Sequence, residues 1–165
     1  MNIPSQNHKN ILLVEDDERD VELTLAGLAD HHLASQVEVV SDGAAALDYL
    51  FRRGKSQTRA AANPIVVLLD NKMPKVNGLE VLKRIKTDEH LKTIPVVALT
   101  SSRQTPDLVE FYKYGVNAYV VKPMDFSDFM ETVRQLGVFW TMINEPLPAS
   151  LRKAIALQSS QPHAP

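Results

Sequence analysis

Five consecutive apolar residues, Ile65-Val66-Val67-Leu68-Leu69, stand between Pro64 and Asp70 and constrain this chain more than any other feature. A run of β-branched and leucine side chains of that length suits a strand buried on both faces, as in a parallel sheet. Pro74 ends the extended stretch, and Gly78 precedes the next helical pattern. Asp70 therefore stands where strand gives way to loop. In an open α/β sheet, ligands bind at that edge. An aspartate placed there is a candidate to accept a phosphoryl group.

The same pattern recurs along the chain. Ile11 to Val14 form a first strand that ends in Glu15-Asp16-Asp17, and Val21, Leu25 and Leu28 mark the helix that follows. Val37 to Val40 form a second strand, short and partly polar, as an edge strand is. Ser41 or Asp42 caps a helix through Ala45, Leu47 and Leu50. Residues 52–63 carry Arg52, Arg53, Lys55 and Arg59 without periodicity and read as a solvated loop. Leu79, Leu82 and Ile85 give the helix after Asp70. Pro95 to Leu99 repeat the buried pattern and run into Thr100-Ser101-Ser102. Pro106 suits the first turn of a helix that Gly115 closes. Ala118 to Val121 give a fifth strand ending in Lys122-Pro123, and a last helix runs from Phe126 or Ser127 to about Ile143.

Five strands alternating with five helices predict an α/β fold. Its sheet is parallel and doubly wound, in the order 2-1-3-4-5, with helices on both faces. Residues 1–9 read as a flexible N-terminus and 10–143 as the folded domain. Residues 144–165 are a proline-rich extension without an output domain, in which Leu151 to Leu157 read as a short helix. A hydrophobic content of 44% supports a real core, and a net charge of −2 argues against nucleic acid as the main partner. The absence of cysteine excludes disulfides and thiolate chemistry. No apolar run approaches the roughly 18 residues of a membrane span, and MNIPSQNHKN lacks the apolar core of a signal peptide. The expected location is the cytoplasm.

The predicted sheet gathers the strand ends on one rim: Glu15 and Asp16, Asp70, Thr100 and Ser101, and Lys122. Two carboxylates about 5 Å apart repel by roughly 3 kcal/mol at an effective dielectric of 20. Such a pocket therefore needs cations. Lys122 supplies one charge, and an oxygen-rich acidic pocket also suits Mg²⁺ or Mn²⁺. Phosphoryl transfer needs positioning and charge neutralisation above all, and Thr100 and Lys122 are placed to contact phosphoryl oxygens. Each piece has a plain structural reading by itself. An acidic triplet before a helix favours the helix dipole, a strand-final threonine caps, and a lone lysine is solvated. Their coincidence at the right strand ends is what points to chemistry.

The segments ILLVEDD, VVLLDNKMPKVNGLEVL, IPVVALTSS and YVVKP resemble the receiver domains of two-component response regulators over roughly residues 8–143. The separations between Asp70, Thr100 and Lys122 fit that family. The resemblance implies a flavodoxin-like fold in which Asp70 is the phosphoacceptor for a histidine kinase. It implies that Asp16 and Asp70 bind Mg²⁺, Glu15 through water, with the Lys72 backbone carbonyl completing the protein ligands. Thr100 and Tyr119 would be the switch pair, and the Lys122-Pro123 peptide is often cis in this family. The ending FSDFMETVRQLGVFWTMINEPLP is similar to single-domain regulators paired with phytochrome kinases. Lys72 stands where receivers often have asparagine. Its side chain is expected to hang over the acyl phosphate and slow its hydrolysis.

In the last helix, Phe129, Val133, Leu136 and Trp140 form one stripe that can face the sheet. The crowding of Val138, Phe139, Trp140, Met142 and Ile143 suggests a homodimer interface. The competing reading is that Glu145-Pro146-Leu147-Pro148 folds back over them. His8, His31, His32, His90 and His163 read as surface residues. The rival from another class is a Mg²⁺-dependent phosphatase of the haloacid dehalogenase type. It needs a second aspartate where Lys72 stands and usually places its nucleophile strand before the acidic pair. An inactive receiver is disfavoured by Asp16, Asp70, Thr100 and Lys122. A DNA-binding output is disfavoured by the short chain after residue 144.

Overall fold

Three apolar runs set the core. In the computed structural model, which describes residues 10–59 and 62–159, β1 (Ile11–Val14), β3 (Val66–Leu69) and β4 (Val96–Thr100) are buried at every position. β2 (Val37–Val40) and β5 (Ala118–Val121) are only half-covered and form the edges. All pairings are parallel in the order β2-β1-β3-β4-β5, as the sequence pattern predicts. Alternate residues face opposite layers. Leu12, Val14, Val67 and Leu69 join one apolar cluster; Ile11, Leu13, Val66 and Leu68 join the other.

Helices α1 (Glu18–Leu28), α2 (Gly43–Leu50), α3 (Gly78–Thr87), α4 (Thr105–Lys113) and α5 (Phe126–Val138) cover the two faces. Their starts follow the capping residues. Asp17, Asp42, Asn77 and Asp125 each accept a backbone N–H at the third helical position with a side-chain oxygen. Gly115, at φ +82, follows α4 in the left-handed conformation that a helix end needs.

Four expectations need correction. The last helix does not stay α-helical to Ile143: Phe139–Ile143 is a turn of π-helix, closed by Asn144 N–H on Phe139 O. That change of winding keeps Trp140 beside Leu136 against the inner cluster, while Phe139, Met142 and Ile143 face outward. Trp140 is thus drawn toward the core rather than offered wholly to a partner. The extension carries a sixth helix, α6 (Ala149–Ser159), longer than expected. It buries Ala156, and its Ser159 hydroxyl accepts from Lys92 Nζ.

The basic loop is not simply solvated. Arg59 donates to the carbonyls of Tyr49, Leu50 and Ala62 and stacks over the Tyr49 ring. It thereby adds donors to the carbonyls at the end of α2, of which Tyr49 O also accepts Arg52 N–H. Finally, the Lys122-Pro123 peptide is trans, the isomer ordinarily preferred before proline. His31, His32 and His90 are exposed as expected, and His8 and His163 lie outside the described residues.

Candidate functional site

The strand register carries four chemical groups to one rim. Beyond the formal strand ends, Asp70 N–H donates to Val14 O, Lys122 N–H to Thr100 O and Glu15 N–H to Val40 O. These bonds lock Glu15, Asp70, Thr100 and Lys122 at the same height on neighbouring strands. The loop after β3 then folds tightly. Gly78 N–H donates to Asn71 O, and the Asn71 side chain accepts from Leu79 N–H. A Cβ on Gly78 would lie 2.1 Å from Asp70 O, so only glycine lets α3 begin this close to the site. Lys72, the residue after Asn71, is exposed.

The acidic triplet divides into three roles. Glu15 is buried, Asp16 is exposed and Asp17 caps α1. Glu15, Asp16 and Asp70 each offer a carboxylate oxygen, and these atoms lie within 4.8 Å of one another. Hard oxygen donors so arranged fit a divalent cation such as Mg²⁺ or Mn²⁺. Lys122 enters the same pocket. Its Nζ is 2.6 Å from Glu15 Oε2, 2.7 Å from Asp20 Oδ2 and 3.6 Å from Asp70 Oδ1.

Asp20 was not evident from the sequence. At that position an acid reads as a first-turn preference of α1, and nothing local reveals that it faces a lysine far along the chain. One amine therefore serves three carboxylates, and Asp16 adds a fourth acid nearby.

Burial decides the charge states. It raises the Glu15 carboxyl to about 7, although the Lys122 hydrogen bond pulls the other way. It also raises Asp70, which Lys122 and the Asn71 N–H oppose. Burial works against the Lys122 ammonium too. Its hydrogen bonds to Asp20 and Glu15 and the charge of Asp70 outweigh that, so its pKa lies above the usual lysine value. The amine keeps its proton, and the pocket retains a surplus of acid that a further cation would neutralise.

Thr100 is fully buried at the end of β4, and its Oγ1 accepts the Ser102 N–H at 3.2 Å. Ser101 is exposed on the rim. Tyr119, half-buried in β5, donates its hydroxyl to Ser102 O at 3.1 Å. Its ring meets Phe111 edge-on, with centroids 5.5 Å apart. Glu15, Asp16, Asp70 and Lys122 thus come together, and Thr100 and Tyr119 are joined through Ser102; the cluster in the last helix belongs to another part of the molecule.

The family model for the response regulator receiver domain matches residues 11–134. The chain is 41% identical over 140 residues to the probable methanogenesis regulatory protein FilR2 of Methanothrix harundinacea (strain 6Ac), covering 84% of this chain and 88% of that one. It is similar in structure to the phosphorylated cyanobacterial phytochrome response regulator RcpA. There the TM-score is 0.80 and the identity 36%, over 86% of this chain and 99% of that one. The bacteriophytochrome response regulator RtBRR is 49% identical with a TM-score of 0.68, over 94% of this chain and 98% of that one. The Mn²⁺-bound form of response regulator Rcp1 matches with a TM-score of 0.79 and 34% identity, over 85% of this chain and 99% of that one.

Proposed function

Because the chain belongs to the response regulator receiver family, we propose that Asp70 is its phosphoacceptor and that a histidine kinase of the phytochrome type is the donor. One observation carries this reading: a buried aspartate at a strand end lies beside a protonated amine and two further acids whose oxygens can share a cation. Asp16, Asp70 and the Lys72 carbonyl would hold Mg²⁺ or Mn²⁺, with Glu15 acting through water. The ion, when bound, supplies positive charge against the phosphoryl oxygens.

The chain's own groups do the rest. An Asp70 oxygen forms the new bond to phosphorus as the donor's bond breaks. Lys122, turned from its present acids, pairs with a phosphoryl oxygen. Thr100 donates its hydroxyl to another, Ser101 lines the open side, and Tyr119 follows Thr100. The protein is a stoichiometric acceptor in the cytoplasm that signals through protein contacts. The phosphatase reading finds no support in the family match.

Incubation with acetyl phosphate, or with a panel of phosphorylated histidine kinases, should label the wild type and leave Asp70→Asn unlabelled. Equal labelling of both would overturn the assignment. Lys72→Asn should shorten the acyl phosphate's lifetime.

The partner for the exposed stretch is a second copy of the chain. Phe139 is 44%, Met142 56% and Ile143 67% exposed, which leaves the fold-back reading without support at these three residues. Val138 and Trp140 would flank them. Sedimentation of Phe139→Ser should report monomer at unchanged thermal stability.

A further inference from the structure

Helix α4 is held to the body unlike its neighbours. Phe111 is its one buried residue, and Leu108, Val109 and Tyr112 are 38%, 54% and 56% exposed. Apolar burial therefore fixes the helix at a single point near its end. Its start is not capped in the usual way, because Gln104 makes no side-chain cap bond. The Asp107 carboxylate instead accepts the Ser102 hydroxyl, and that same hydroxyl accepts Gln104 N–H at 3.3 Å.

Both anchors lead to the same place. Phe111 rests on Tyr119, and Tyr119 donates to Ser102 O. Asp107 ends on Ser102 Oγ. Ser102 N–H in turn donates to Thr100 Oγ1. Ser102 is only 5% exposed, and its N–H, carbonyl and hydroxyl are all engaged with different elements. Its N–H occupies a lone pair of the Thr100 hydroxyl, an interaction that uses the oxygen and not the hydroxyl's proton.

We propose that Ser102 is a positioning residue that couples the phosphoryl site to α4: the Thr100 hydroxyl, the Tyr119 hydroxyl and the Asp107 carboxylate meet on it. This rests on Asp70 being the phosphoryl site. A Thr100 drawn toward a phosphoryl oxygen carries the Ser102 N–H with it. The Ser102 carbonyl and hydroxyl then shift against Tyr119 and Asp107 together. Because α4 has so little buried surface, its position follows these two tethers. The serine hydroxyl links the pocket's Thr100 loop to the first turn of the helix through Asp107.

The test uses the full chain with Mg²⁺ and the phosphoryl mimic beryllofluoride. Fluorine NMR reports bound mimic, and hydrogen exchange reports the amides of α4. Wild type should bind and change exchange across 107–113. Asp107→Ala should bind equally, exchange these amides about fivefold faster without mimic, and show no further change on adding it. Ser102→Ala should lose the same α4 response, and Ser102→Thr should keep it. A wild-type response in both Asp107→Ala and Ser102→Ala overturns the proposal. So does a wild type that binds mimic with α4 unmoved. A wild type that fails to bind beryllofluoride overturns the Asp70 reading itself.

Discussion

Two lysines are half-buried at opposite ends of the sheet, and desolvation has opposite outcomes for them. Lys122 sits at the C-terminal rim among Glu15, Asp20 and Asp70. Lys86, in α3, reaches the other end and donates to Lys92 O, Ile94 O and Asn117 Oδ1. Both lose water. The carboxylates more than repay the ammonium of Lys122, whose pKa rises. Neutral dipoles repay less, and burial takes Lys86 down to about 8. The difference separates a tie from a site. At Lys86, neutral acceptors receive the donors and no surplus of acid is left over. At Lys122, acids outnumber the amine, and the surplus calls for another cation.

Removing each amine sharpens that contrast. Lys122→Met leaves buried acids unpaired and should cost on the order of 3–5 kcal/mol in chemical denaturation. Magnesium should restore part of this loss. No restoration would break the view of the pocket as a cation site. Lys86→Met removes the donor shared by the Lys92 and Ile94 carbonyls and Asn117 Oδ1, the last of which keeps Val96 N–H, and should cost about 1–3 kcal/mol. Magnesium should recover nothing there, and labelling of Asp70 should persist.

The remaining tests concern pH, and the two ends should differ in sign. The native Glu15 carboxyl holds its proton up to about 7, against an ordinary 4.5. Between those values the native state binds more proton than the unfolded chain. The Glu15 contribution is full below 4.5 and lost by about 7, so stability falls as pH rises. Metal-free Glu15→Gln should flatten that slope in denaturation curves. Lys86 sheds its proton near 8 in the native state and near 10.5 when unfolded. Its contribution is present above 10.5 and lost as pH falls through 8. Stability should rise with pH across that window, and Lys86→Met should remove the rise.

The sequence carried the sheet because its signal is local and repeated. Apolar runs without alternation mark buried parallel strands, and the residue ending each run must fall on the same rim. Asp70, Glu15, Asp16, Thr100 and Lys122 were legible for that reason. So were Asp42, one of the two residues offered as the α2 cap, and Pro106 in the first turn of α4, since such effects are confined to one helical turn. Local pattern could not reveal Asp20 or Asp107. Each looks like an ordinary acid in the first turn of a helix, and each takes its meaning from a side chain on another element.

Arg59 likewise reads as one more charge in a basic loop until α2 ends beside it. The π-turn at Phe139–Ile143 was hidden in the same way, since residues of that composition also suit an α-helix. The chain by itself determined which residues stand at the strand ends, because burial follows from composition and spacing. Tertiary structure alone decided which charges and hydroxyls meet, because a hydrogen bond depends on separation in space.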